Sequence, residues 1–402
     1  MIRHQPCPDL ETALAAYRDG RFAEAERTCQ KLLATSLPSN DALHLLGLVE
    51  MAQGRLTAAV ETLIAVTNRL PFEAAVHNNL GIALRKLCRF PPAIAAFKKA
   101  VECRPVYPEA LYNLATTLND AGEYDEAIDA LHRCLSQEPG HSAARFSLGE
   151  LLAQIGDDDE AANHLSRYLK EDPGDLHGAE MLLAQMNRIA LPSHASFPHL
   201  NQLYSAKAST WDRQSGYLAH RHVAHALMKH LPGKNRRILD IGCGTGLVGS
   251  LLCDRVEHLM GVDISEAMLS FAQEKQIYDV LFHSDMMSFL LATPHRFDAI
   301  SAAAVFIHFG DLVPILAGAA HVLHAGGQLS FTTYPNDAMS PNHFGVCLNA
   351  NLARAGCFAH GSSYIRQAAE IAGFSVLELT EVIHEFGTDQ VQTGLLVVLE
   401  RK

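Results

Sequence analysis

Apolar residues along the first 175 positions recur at helical spacing, and small residues recur at a longer one. Gly47, Gly81, Ala115 and Gly149 stand 34 residues apart, as do Ala25, Ala59, Ala93, Ala127 and Ala161, and again Pro71, Pro105, Pro139 and Pro173. Three columns with one period predict stacked helix pairs. A small residue in each helix lets two backbones approach. A proline after the second helix ends it, because proline has no N–H to continue the hydrogen-bond ladder. Gly20, Gly54, Gly122 and Gly156 fall at the turn within each pair, and Cys88 takes that place in the third repeat. Leu46, Leu63, Leu80, Phe97, Leu114, Leu131, Leu148 and Leu165 are expected to fill the seams. Five repeats follow, at 6–39, 40–73, 74–107, 108–141 and 142–175. The first is degenerate, its proline slipping to Pro38, and 176–189 reads as a capping helix. The repeat array is thus expected over 1–190.

The period stops near 190, and 191–200, with Pro192 and Pro198, reads as a linker. A helix is expected from there to about Leu231, ended by Pro232-Gly233. The pattern then changes to short apolar runs alternating with helical segments. Strands are expected at 237–241, 258–263, 279–284, 297–304 and 327–334, and helices at 247–255, 265–276, 311–324 and 362–372. Two long final strands, 375–386 and 394–401, complete the order. The expected fold is therefore multidomain: an α-helical solenoid, then a doubly wound α/β domain over 201–402 with a C-terminal antiparallel strand pair.

Composition narrows what such a chain does. Of 402 residues, 48% are hydrophobic and 19% charged, enough for packed cores in both parts. The net charge is −12, and no run of Lys or Arg exceeds two, so nucleic-acid binding is not expected. Nine scattered cysteines without a Cys-x-x-Cys pair predict neither a disulfide framework nor a zinc site. His220, His222 and His225 do not share one helix face, so no metal is expected there. The start lacks a secretory apolar core, and no apolar stretch is long enough to span a membrane. A cytoplasmic protein is expected.

The repeat columns resemble the tetratricopeptide family, whose 34-residue repeat carries small residues at these places and a terminal proline. That resemblance implies a concave groove for a peptide or partner protein. His44, Asn78, Asn79, Arg85, Tyr112, Asn113, Asn119 and Phe146 are its candidate lining. The Lys and Arg set that clamps a C-terminal carboxylate in some members is missing.

In the second part, Asp240-Ile241-Gly242-Cys243-Gly244-Thr245-Gly246 lies directly between a strand and a helix. Glycines let such a turn approach a ligand, and the helix N-terminus offers free N–H groups. The Gly-x-Gly-x-Gly spacing differs from that of nicotinamide and flavin binders. Asp263 ends the second strand, 17 residues after Gly246, where a carboxylate accepts ribose hydroxyls.

This turn, with Gly261-Val262-Asp263-Ile264-Ser265-Glu266-Ala267-Met268-Leu269, resembles the class I S-adenosylmethionine-dependent methyltransferases, which have a Rossmann-like sheet. The resemblance implies that Asp240, Gly242, Cys243, Gly244 and Gly246 belong to the turn holding the methionine moiety of S-adenosylmethionine. It implies further that Asp263 holds the ribose, that Ile264 and Met268 pack on adenine, and that Asp285 and Met286 meet the adenine amino edge. The whole chain resembles bacterial methyltransferases that carry tetratricopeptide repeats.

Tyr204-Ser205-Ala206-Lys207-Ala208-Ser209-Thr210-Trp211-Asp212 departs from the pattern common before such domains, with Lys207 in place of a tyrosine and Ser205 in place of an acid. Ser301-Ala302-Ala303-Ala304 carries no Asn-Pro-Pro-Tyr-like motif, which disfavours methylation of an amide or exocyclic amine. His308 and His360, on loops at the carboxyl edge of the sheet, are the candidate general bases, and Tyr334 and Tyr364 the candidate substrate contacts. The acceptor stays open between a small carboxylate, hydroxyl or quinone-like compound and a peptide or carrier delivered by the repeats. The rival reading is an adaptor whose methyltransferase-like domain binds the nucleoside without catalysis.

Overall fold

The computed structural model describes residues 8–34, 39–213, 216–231, 236–336, 346–348, 356–386 and 391–402. The stops expected at Pro38 and Pro232-Gly233 lie outside them. Internal contacts divide the chain into two units, Met1–Glu171 and Asp172–Lys402.

The first unit is five helix pairs: α1 (Pro8–Arg18) with α2 (Phe22–Leu33), α3 (Asn40–Ala52) with α4 (Leu56–Arg69), α5 (Ala74–Lys86) with α6 (Phe90–Cys103), α7 (Pro108–Asp120) with α8 (Tyr124–Gln137), and α9 (Ser142–Ile155) with α10 (Asp158–Glu171). The periodic columns have the packing roles read from the sequence. Ala25, Ala59, Ala93, Ala127 and Ala161 are all fully buried. A Cβ placed on Gly81 would stand 2.7 Å from the Phe97 ring, and one on Gly149 2.7 Å from Leu165, so the missing side chain is what lets the paired helices close. The intrapair turns are left-handed, with φ of 74° at Gly20 and 55° at Cys88. Cys88 adopts this conformation despite its Cβ, at a local cost of about 1 kcal/mol.

Four of the eight candidate groove residues bond to one another, and a fifth pairs with a neighbouring carboxylate. Asn79 meets His44 at 2.8 Å, the Asn113 amide donates to the Asn78 carbonyl oxygen at 3.1 Å, and Arg85 pairs with Asp120 at 2.7 Å. Asn78 is 1% exposed, so it is interior rather than groove surface.

The second unit begins earlier than the 190 suggested by the repeat period. Helix α11 (Ala179–Gln185) sends Met181 into a cluster with Ala195, Leu200 and Phe358, all of the second unit. The stretch expected as a linker already starts helix α12 (Phe197–Lys207), which Ser196 caps by accepting the His199 N–H at 3.3 Å. The single helix expected up to Leu231 is three pieces: α12, a 3-10 turn (Ala208–Arg213) and α13 (Ala219–His230).

The sheet carries β1 (Arg237–Ile241), β2 (His258–Asp263), β3 (Val280–His283), β4 (Phe297–Ala302) and β5 (Leu323–Pro335), parallel in the order β3-β2-β1-β4-β5. The last long strands, β8 (Phe374–Phe386) and β9 (Val391–Arg401), form an antiparallel pair, and β9 lies antiparallel beside β5. Two short strands were not expected: β7 (Phe358–His360) pairs with the end of β5 at Tyr334 and Pro335, and β6 (Val346–Leu348) pairs with β7. Helices α14 (Gly249–Leu252), α15 (Glu266–Glu274), α16 (Met286–Ala292), α17 (Val313–Val322) and α18 (Ser362–Ile371) complete the unit. Leu239, Ile300, Leu316, Phe331, Ile365 and Val397 lie in its main core. Among the described residues no helix is long and apolar enough to cross a membrane.

Candidate functional site

The carboxyl ends of β1, β2 and β4 open into a cavity. This is the sheet edge where doubly wound folds hold ligands. The glycine turn forms its floor. Gly242 and Gly244 both have positive φ, 61° and 55°, and a side chain on Gly244 would meet no atom within 4 Å. The turn is thus an open cradle with bare backbone beneath it.

Asp263 stands beside the turn. One carboxylate oxygen accepts from the Gly244 N–H and the other from the Ser265 N–H, both at 2.8 Å. Each oxygen keeps a second lone pair for a ligand hydroxyl. Burial raises its pKa despite these bonds. Ile264, Met268, Asp285 and Met286 continue the wall. Asp285 is also the N-cap of α16, accepting from the Ser288 N–H at 2.9 Å.

Eight of the ten expected cofactor residues line the cavity: Gly242, Cys243, Gly244, Asp263, Ile264, Met268, Asp285 and Met286. Asp240 and Gly246 do not. Asp240 lies under the turn, 1% exposed, and its oxygens accept from the Ser301 and Tyr278 hydroxyls, each at 2.7 Å. Gly246, with φ of 90°, faces the Tyr278 ring, which a Cβ would meet at 3.1 Å. Both residues hold the turn from behind.

Burial lifts the Asp240 carboxyl to about 6. Its ordinary value in an unfolded chain is about 3.9. The native state thus holds a proton there that the unfolded chain has released. Stability from this group is complete below about pH 4 and is lost as pH rises through 6, by on the order of 3 kcal/mol. Urea midpoints measured from pH 4 to 7 are expected to fall more in the wild type than in Asp240→Asn. Parallel curves would contradict this.

Of the candidate catalytic histidines, only His308 lines the cavity. Its Nε2 lies 2.7 Å from the Tyr204 hydroxyl and its Nδ1 2.9 Å from the Gly356 carbonyl. Burial pushes its pKa down to about 4. His360 is fully buried between the Thr333 hydroxyl, 2.5 Å from Nδ1, and the Phe309 carbonyl, 2.7 Å from Nε2. Both ring nitrogens are used, so His360 braces the loop behind His308 and is no base for a ligand in the cavity.

The two candidate tyrosines are likewise set back. Tyr334 is 3% exposed and packs with Ile307, Cys357 and Ala359. The Tyr364 hydroxyl accepts the Leu312 N–H at 2.8 Å and lies 3.1 Å from an Asp311 carboxylate oxygen, and its ring stacks on His360.

Part of the remaining wall comes from the segment before the sheet, to which the sequence assigned no roles. Tyr204, Trp211, Tyr217 and His220 all line the cavity. Asp212 fastens the segment down: it accepts the Thr245 hydroxyl of the glycine turn and pairs with Lys275 at 2.7 Å. Ser205 meets Ser265 at 2.9 Å. The one tryptophan of the chain was the available signal for this wall. His220 stacks on Tyr217, while His222 turns to the Ile383 carbonyl, so the two imidazoles have separate surroundings.

Comparison with known proteins agrees with this architecture. Residues 238–327 match the family model of a methyltransferase domain, and residues 10–66, 44–108, 96–129 and 118–186 match models of tetratricopeptide repeats. A ubiquinone biosynthesis O-methyltransferase of Coxiella burnetii is 26% identical over 194 residues, which are 44% of this chain and 82% of that protein. A malonyl-[acyl-carrier protein] O-methyltransferase of Bacillus cereus is 28% identical over 152 residues, 36% of this chain and 55% of that protein. Among solved structures, that of MamA is 27% identical, with a TM-score of 0.39, and covers 40% of this chain and 94% of its own. The chain joins tetratricopeptide repeats to a methyltransferase domain.

Proposed function

We propose that the protein is an S-adenosylmethionine-dependent methyltransferase that places the methyl group on an oxygen, with the repeats recruiting a partner or a carried substrate. The observation that carries the reading is the cavity at the carboxyl edge of the sheet. There the bare glycine turn, the Asp263 carboxylate and the apolar pair Ile264 and Met268 line one continuous wall. Gly242, Cys243 and Gly244 would hold the methionine moiety, Asp263 the ribose, and Ile264, Met268, Asp285 and Met286 the adenine. Asp240 and Gly246 position the turn. When bound, the cofactor supplies a methyl group on a positively charged sulfur.

Methyl transfer asks the protein mainly to align two reactants and exclude water. The segment bearing Tyr204, Trp211 and Asp212 is built for that, since it is fastened to the turn at Thr245 and to α15 through Lys275. The names of the relatives, all O-methyltransferases in the cases above, support oxygen as the accepting atom. A cytoplasmic setting agrees with the free thiols of the described cysteines.

Titration calorimetry with S-adenosylhomocysteine tests the reading. Saturable binding is expected in the wild type, weakened in Asp263→Ala by about ten- to a hundredfold, equivalent to roughly 1–3 kcal/mol. Absence of binding by the folded wild type would favour the adaptor reading, with the repeats as the working surface.

A further inference from the structure

We propose that the methyl acceptor is a neutral hydroxyl compound, and that Tyr204 and His308 together take up its proton during transfer; this rests on the methyltransferase reading above. The geometry fixes the direction of the pair. The Gly356 carbonyl only accepts, so His308 carries its hydrogen on Nδ1, and Nε2 presents a lone pair to the Tyr204 hydroxyl at 2.7 Å. Tyr204 therefore donates inward, and its oxygen keeps lone pairs for a donor in the cavity. The cavity ends in a hydrogen-bond acceptor with a base behind it. That arrangement suits a group arriving with a proton to lose.

The charge of the walls points the same way. Among the described residues lining the cavity there is no Lys or Arg, and the charged members are Asp263 and Asp285. A carboxylate acceptor would find no side-chain cation among the described lining residues and would bring no proton for Tyr204. Lys207, on the same helix as Tyr204, lies 6.0 Å over that ring and is not part of the lining. Trp211 and Tyr217 offer flat apolar faces for a ring. Among the described residues the buried His220 Nδ1 has no hydrogen-bond partner, and it offers one further polar point.

The step balances within the chain and its ligands. A lone pair of the acceptor oxygen forms the bond to the methyl carbon, and the sulfur–carbon bond breaks with its electron pair left on sulfur. The hydroxyl proton passes to the Tyr204 oxygen as the Tyr204 proton passes to His308 Nε2. The positive charge lost at sulfur reappears on the imidazole, whose Nδ1–H already faces the Gly356 carbonyl, so the cavity gains no net charge. Without that compensation burial keeps His308 neutral, with Lys207 and His199 acting in the same sense.

Trp211 is the only tryptophan and lines the cavity, so its emission reports on the site alone. The full chain saturated with S-adenosylhomocysteine is titrated with catechol and, separately, with benzoate. Transfer from methyl-tritiated S-adenosylmethionine to each is measured alongside. Catechol is expected to shift the emission saturably and to accept label, with benzoate at least about tenfold weaker in both. Tyr204→Phe and His308→Gln are expected to lower label transfer about a hundredfold while S-adenosylhomocysteine affinity stays within about twofold. The glutamine still receives the Tyr204 hydrogen bond but takes no proton, so a purely structural role would survive that change. The proposal is overturned if benzoate equals catechol, if catechol neither shifts emission nor accepts label, or if both variants keep transfer. Failure of S-adenosylhomocysteine to bind the wild type is a separate result and strikes the methyltransferase reading itself.

Discussion

Replacing Gly242 by alanine is expected to weaken S-adenosylhomocysteine binding by more than a hundredfold and to lower the melting temperature as well. Two costs add. The residue sits at φ of 61°, where an L side chain is strained by about 1–2 kcal/mol, and the new Cβ would lie 2.4 Å from a Val305 methyl carbon. Val305 lines the same cavity, so relieving the clash moves either the turn or the wall. Relief of such overpacking costs a further 1–3 kcal/mol or so. Gly244→Ala is the informative control. Its φ is 55°, but no atom lies within 4 Å of its Cβ, so the methyl projects into open space. It should weaken binding with a smaller loss of stability. Calorimetry and thermal melts on both variants check this, and wild-type affinity in Gly242→Ala would show that the turn does not cradle the ligand.

The largest stability loss is expected in the repeats, at Phe97→Ala. Phe97 is fully buried, and its ring fills the space left by Gly81. Removing a buried phenylalanine costs about 3–5 kcal/mol. Gly81→Ala alone should cost about 1–3 kcal/mol, because three ring carbons stand within 2.8 Å of the added Cβ. Phe97→Leu in the Gly81→Ala background should recover part of that loss. The fourth repeat already carries this combination, Ala115 with Leu131, at the same offset of 16 residues, and buries both. Urea unfolding of the full chain gives the cycle. Additive losses in the double variant would mean that the two positions do not share one space.

Much of this was legible in the sequence because it repeats or because glycine forces it. The 34-residue columns are direct images of helix contacts, each small residue facing a large one. The Gly-x-Gly-x-Gly turn and Asp263 are equally direct, since only bare backbone in left-handed conformations and one carboxylate suit that place. What failed to show is where loop side chains point. His308 after the fourth strand and His360 before a late helix both read as loop residues, yet His308 opens to the cavity while His360 ends β7, closed between Thr333 and Phe309. Long-range pairing of β7 with β5 decides that, and no local pattern encodes it. Helix α16 was missed because Met286-Met287-Ser288-Phe289-Leu290-Leu291 is apolar almost throughout and gives no amphipathic rhythm, although Asp285 was there to cap it. The first turn of α12 hid behind two prolines, one of which lies within it.

The early start of the second unit bears on how the protein is dissected. A cut at 190, where the repeat rhythm ends, would carry away Met181 and leave Ala195, Leu200 and Phe358 facing water. Phe358 begins β7, two residues beyond the Gly356 carbonyl that fixes the tautomer of His308. Such a truncation would therefore read as a loss of repeats while its damage lay in proton chemistry. A cut at the Glu171–Asp172 junction keeps that support intact, so any fragment meant to report on the repeats' contribution has to begin there.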